Sequence, residues 1–213
     1  MAKIIDRFGT LKVSDKVYIS VFSFAAVFLF LLCQTPMYTL LFLLPAFLHE
    51  LSHLIFLSVF GAKIKRITIF PFGVDILADT SLLSYKKELI CTLSGSLANL
   101  SISAVCCLLL NISPSPELLF FAVTNAFLGT MNLIPLSFFD GGKALRLVLY
   151  DLLEIDSAFY IYRFLDMFSA LIFLGFSLFV MLFSDLNFSV CAIILYASIS
   201  TFALYIKNPC REH

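Results

Sequence analysis

Residues 37–60 read MYTLLFLLPAFLHELSHLIFLSVF, an apolar run with one charged residue, Glu50, and two histidines, His49 and His53. A bilayer-spanning helix needs about 20 predominantly apolar residues, and this run supplies them. Working outward, the nearest other charged residues are Lys16 and Lys63. Pro36, beside Gln34 and Thr35, divides that interval into two spans joined by a tight turn. Further intervals without charge cover 89–116, 118–139, 167–184 and 186–206. The pattern predicts six spans, at about 17–34, 37–60, 88–110, 117–140, 164–184 and 187–206.

The composition agrees. Of the 213 residues 61% are hydrophobic and 13% charged. A soluble domain is nearer about 45–50% apolar and 25% charged. The excess is too large for a single soluble core, and it excludes a disordered chain. The 14 basic and 14 acidic residues cancel, so there is no cationic footprint for nucleic acid. The six cysteines show no C-x-x-C spacing and read as small apolar packing residues, not as a disulfide scaffold.

The basic residues orient the spans. They stand at 3, 7, 12 and 16, at 63, 65, 66, 86 and 87, at 143, 146 and 163, and at 207 and 211. In a six-span chain all of them fall on one side, which the positive-inside rule makes cytoplasmic. A multi-pass cell-membrane protein with cytoplasmic N- and C-termini is expected. The basic start and first apolar run resemble a signal peptide, but no small-residue cleavage site follows, so the first span is expected to stay.

Two of the loops on the basic side carry structure. Lys65–Phe70 and Val74–Ala78 are β-prone runs flanking Pro71-Phe72-Gly73, the pattern of a hairpin. Between Gly141 and Tyr162, leucines alternate with Lys143, Arg146, Asp151 and Glu154, as in an amphipathic helix at the interface.

His49-Glu50-Leu51-Ser52-His53 is an H-E-x-x-H motif. On a helix, residues four apart share a face one turn apart, so both imidazoles can bind one Zn²⁺. Glu50, next to the first ligand, is placed to act as general base. Ionisable groups inside a span are costly and mark function by default. A catalytic zinc takes a third protein ligand. His213 is the C-terminal residue and reads as a solvated tail. Asp140 follows Pro135 and precedes Gly141-Gly142, so it ends a broken helix. The residues alone leave it as either a sideways-reaching ligand or a cap on the next helix.

H-E-x-x-H in one span with Asn132-Leu133-Ile134-Pro135 and Asp140-Gly141 in a later one resembles the signature of the site-2 proteases, intramembrane zinc metalloproteases. Gly95-Ser96-Leu97-Ala98-Asn99 matches that family's G-x-x-x-N element. The likeness covers roughly residues 9–145. One span before the core and two after it look like the stage IV sporulation protein FB branch. The resemblance implies an all-α polytopic membrane fold with a three-helix catalytic core and a membrane-associated β-hairpin, forming one domain over 1–213. It implies one zinc per chain on His49, His53 and Asp140, with Glu50 as catalytic acid/base. It makes Asn132 and Asn99 candidates for holding substrate. Ser52 and Ser96 stand where the family often has Gly and Pro. No PDZ or CBS domain is expected.

The expected function is hydrolysis of peptide bonds in a membrane-bound protein near the cytoplasmic face. By resemblance the substrate is an anti-sigma factor, a pro-sigma factor or a remnant signal peptide. The lipid bilayer and a membrane-bound regulator are the other expected partners. Scissile bonds must be extended, so the hairpin edge at Val74, Asp75 and Ile76 is expected to add substrate as a strand, with Gly9–Val13 on the other edge. A prenyl-protein-type zincin would need a Glu ligand, and Glu88, Glu117, Glu154 and Glu212 are badly placed for it. A transporter would scatter polar residues over many depths, whereas here they converge at one.

Overall fold

The computed structural model describes residues 10–14, 17–20, 35–70 and 73–183. Predicted span 187–206 and most of 17–34 lie outside them. The described chain falls into two compact units that divide between Thr130 and Met131.

The first unit begins with strands β1 (Thr10–Lys12) and β2 (Val17–Ser20), followed by helix α1 (Pro36–Val59). Strands β3 (Lys63–Phe70) and β4 (Gly73–Asp79) come next, and then helices α2 (Tyr85–Leu110) and α3 (Pro116–Asn132). Pro36 starts α1, where its missing N–H costs nothing and its fixed φ suits a helix. Pro45 lies buried inside the helix, one turn before His49.

Gly61 ends α1 in the left-handed region, at φ 82°. Its N–H donates to the Ser58 carbonyl at 3.1 Å, and that of Ala62 donates to Leu57 at 2.9 Å. These are the two bonds of a Schellman cap, which turns the chain directly from helix into strand.

The sheet order is β1-β2-β3-β4. β2 runs parallel to β3, pairing Val17 with Ile67, and the other two pairings are antiparallel. The expected hairpin is present as β3 and β4, with Ile67 opposite Ile76 and a bulge between Ile64 and Arg66. Both of its strands touch α1. Lys65 and Asp79 form an ion pair of 2.9 Å across it. Asp79 also accepts a hydrogen bond from the Ser81 hydroxyl at 2.7 Å. The Ser81 hydroxyl first, then Lys65, lowers the Asp79 carboxyl to about 2.

Three expectations need correction. The span placed at 17–34 begins in error, since Val17–Ser20 is a strand whose β-branched and aromatic residues pair with β3. Of the run at Gly9–Val13, Gly9 lies outside the described residues, and Thr10–Lys12 pairs with β2, which stands between it and the hairpin. The span placed at 117–140 is not one helix: α3 stops at Asn132, residues 133–139 are non-helical, and a new helix starts at Asp140. Pro135 accounts for the early stop, since a proline disfavours helical backbone at the residue before it, here Ile134.

The second unit holds helices α4 (Asp140–Leu152) and α5 (Ile155–Phe183). Buried Leu136, Ala170 and Phe173 form its core, with Met131, Ile134 and Phe139 packed on them. Among the described residues three helical segments are long and apolar enough to cross a membrane: 36–59, 85–110 and 155–175. Exposed Phe47, Ile55, Val59, Leu108 and Phe168 give them the apolar outer surface that lipid favours.

Candidate metal centre

Helical spacing brings His49 and His53 onto one face of α1, with ring centroids 4.8 Å apart. Their Nε2 atoms face each other at 3.2 Å. Two ligands at about 2.0–2.1 Å from one tetrahedral zinc stand roughly 3.3–3.4 Å apart, so the pair already has the edge length of such a site.

Helix α2 fixes the rings. Nδ1 of His53 lies 2.8 Å from the Cys91 carbonyl oxygen. A carbonyl only accepts, so Nδ1 carries the proton and Nε2 keeps its lone pair for a metal. The Ser94 hydroxyl donates to the same carbonyl at 2.8 Å. Gly95 forms the floor beneath the rings: a Cβ there would stand 2.5 Å from Nε2 of His53 and 2.8 Å from Nε2 of His49. A residue with any side chain would displace the two nitrogens, so this cradle fits a ligand pair held at a set spacing. His49 is buried, while Glu50 and His53 are half-buried.

The α2–α3 contact includes polar groups. The Ser103 hydroxyl donates to the Ala122 carbonyl at 2.8 Å. A Cβ on Gly129 would meet the Ser96 carbonyl oxygen at 3.0 Å. Between these two contacts lie Asn99 and Asn125, both without exposed surface. Neither amide atom of Asn99 has a hydrogen-bond partner among the described residues. Small and polar residues at such an interface let helices approach within a membrane.

In the second unit Asp140 is the first residue of α4 and is 5% exposed. Phe139 holds the N-cap position, so Asp140 does not cap the helix as the alternative reading had it. Its carboxylate accepts from Lys143 Nζ at 3.3 Å. The N-terminal turn of a helix favours negative charge there. Gly141 and Gly142 lie so tightly against the Leu133 and Leu136 carbonyl groups that a Cβ on either would collide with backbone. Asn132, half-buried, ends α3. In the first unit Val74, Asp75 and Ile76 lie on β4, the outermost strand of the described sheet.

Two imidazoles and one carboxylate, from His49, His53 and Asp140, are donor types that suit zinc. The sequence reading missed Cys91 and Ser94, whose contacts to His53 join residues 38 and 41 positions apart. It also treated Gly95 only as part of a motif, although the glycine's lack of a side chain is what the rings require.

No protein-family model matches the chain. Over 107 residues it is 33% identical to a zinc metalloprotease of Methanocaldococcus jannaschii, a match covering 48% of this chain and 31% of that protein. The matched stretch therefore spans about a third of that relative's length. The fold is that of a solved site-2 protease from Methanocaldococcus jannaschii, with a TM-score of 0.65. That likeness covers 91% of this chain and 93% of the other, at 22% identity.

Proposed function

We propose that this chain is an intramembrane zinc metalloendopeptidase of the site-2 protease type, nearest the stage IV sporulation protein FB branch. The observation that carries the reading is the His49–His53 pair. Its Nε2 atoms are 3.2 Å apart over a glycine floor, and one ring's tautomer is set by a backbone carbonyl. Asp140 is the third ligand, and one zinc is bound per chain.

When bound, zinc supplies Lewis acidity toward the scissile carbonyl and lowers the pKa of water. The remaining chemistry belongs to the chain. Glu50 takes a proton from the attacking water on its carboxylate and delivers it to the departing amine. Asn132 donates its side-chain amide to substrate backbone, and Asn99 is the second asparagine assigned to holding substrate. The outer edge of β4, at Val74, Asp75 and Ile76, pairs with an extended substrate segment, replacing the backbone hydrogen bonds that segment loses when its helix unwinds.

The substrate class is a membrane-bound protein cut near the cytoplasmic face, such as an anti-sigma factor, a pro-sigma factor or a remnant signal peptide. Six spans with both termini cytoplasmic place all of the basic residues on one side.

Zinc content and cleavage of a membrane-protein substrate, measured on the purified protein, test this reading. Glu50→Gln should abolish turnover and retain zinc, because Glu50 moves a proton and is not a ligand. Asp140→Asn should lose both. Full zinc occupancy in Asp140→Asn would remove Asp140 from the ligand set.

A further inference from the structure

Helix α5 carries a carboxylate, Asp166, within the segment 155–175 that is apolar enough to span a membrane. Asp166 has no exposed surface. A buried carboxylate in such a segment is costly unless it is hydrogen-bonded. The chemistry outlined above does not use it.

Its Oδ1 accepts a hydrogen bond from the backbone N–H of Ser137 at 2.8 Å. Ser137 lies in the non-helical segment 133–139, whose amides lack the regular partners of a helix. Ala170 and Phe173 follow Asp166 by one and two helical turns, on the same face. Both pack with Leu136 in the core of this unit. One face of α5 therefore grips the segment twice, by a hydrogen bond at Ser137 and by apolar contact at Leu136. Leu136 is also the residue whose carbonyl lies against Gly142. Asp140 follows Ser137 by three residues, between the gripped segment and the glycine pair.

We infer that Asp166 is a positioning residue: by holding the Ser137 amide it sets where the Asp140 carboxylate stands, and so governs zinc affinity. This rests on the metalloprotease reading, with Asp140 as a ligand. Groups that orient metal ligands typically change metal affinity by about 10–100-fold when removed. Asparagine at 166 keeps an Oδ1 acceptor at the same place, whereas alanine does not.

The test is zinc affinity by chelator competition on detergent-purified full-length protein, together with hydrogen exchange of residues 133–139 in the metal-free state. Asp166→Ala should weaken zinc about 10–100-fold and speed exchange at Ser137. Asp166→Asn should recover most of that affinity. A merely structural role would lower the melting temperature of Asp166→Ala and leave the zinc affinity of the folded fraction unchanged, which overturns the inference. An Asn variant as impaired as the Ala variant overturns it too, because the charge and not the acceptor would then matter. Should Asp166→Ala not fold, a Ser137 amide that exchanges freely in the metal-free wild type overturns it independently. Failure of the wild type to bind zinc would instead sink the metalloprotease reading, and leaves Ser137 exchange to decide whether Asp166 holds the segment.

Discussion

Replacing Gly95 by alanine places a methyl carbon 2.5 Å from Nε2 of His53 and 2.8 Å from both Nε2 and Cε1 of His49. Non-bonded contact is ordinarily comfortable from about 3.5 Å, so the rings must retreat by roughly 0.7–1 Å. They have little freedom to do so. Nδ1 of His53 is held by the Cys91 carbonyl, and His49 is buried. Metal sites hold their ligand distances to within about 0.2 Å. A misplacement near 1 Å costs about 100-fold in rate, and disturbing what orients metal ligands costs up to about 100-fold in metal affinity. Zinc affinity of Gly95→Ala should therefore fall by about that factor or more, with turnover falling alongside. Chelator competition reads the first and substrate cleavage the second. Gly175→Ala is the control, since among the described residues nothing lies within 4 Å of a Cβ there. It should leave zinc unchanged and be neutral or stabilising, by up to about 1 kcal/mol. A Gly95→Ala protein that binds zinc within about threefold of wild type would refute the glycine floor.

Gly129→Ala should destabilise the α2–α3 contact by about 1–3 kcal/mol, because its Cβ would meet Leu100 Cγ at 2.9 Å and the Ser96 backbone at 3.0 Å; thermal unfolding in detergent reads this, and an unchanged melting temperature would refute the close approach. Asp79 has a folded pKa depressed from 3.8 to about 2, so its contribution is present above 3.8 and is lost as pH falls through about 2. Asp79→Asn should therefore lower the melting temperature at pH 7, with the deficit shrinking as pH drops from 4 toward 2; a deficit independent of pH would contradict the assignment. Proline substitutions through Val74 to Ala78 should reduce cleavage at alternate positions while zinc content stays intact, because only alternate amides face the free edge.

The ends of the helix that carries the histidine pair are legible to within a residue: the sequence predicts 37–60 and the helix runs over 36–59. A long apolar run with a proline at its start leaves few alternatives. The histidine pair is equally legible, since its geometry follows from helical spacing alone. Val17–Ser20 is not. It adjoins an apolar run, and hydropathy does not distinguish the first turn of a span from a strand that finds its partner at Ile67–Ile69. The break expected near Pro135 lies upstream of it, after Asn132, because proline restricts the residue before it as well as its own. The bond from Ser137 to Asp166 crosses 29 residues. Nothing in the local pattern around either residue announces it, and the carboxylate reads in sequence as the edge of a span.

The Schellman cap at Gly61 makes the phase of α1 a heritable quantity. Gly61 follows His53 by eight residues, and β3 begins two residues later. Each residue inserted between them would rotate the histidine face about 100° relative to the strand that follows. One insertion would turn the imidazoles away from Gly95, although every side chain of the motif would still be present. Insertion of about seven residues would nearly restore the angle while moving the pair about 10.5 Å along the axis, off the Cys91 carbonyl. Length changes between His53 and Gly61 are thus excluded by angle at small sizes and by height at larger ones. The spacing of the two residues is as much a part of the site as its ligands.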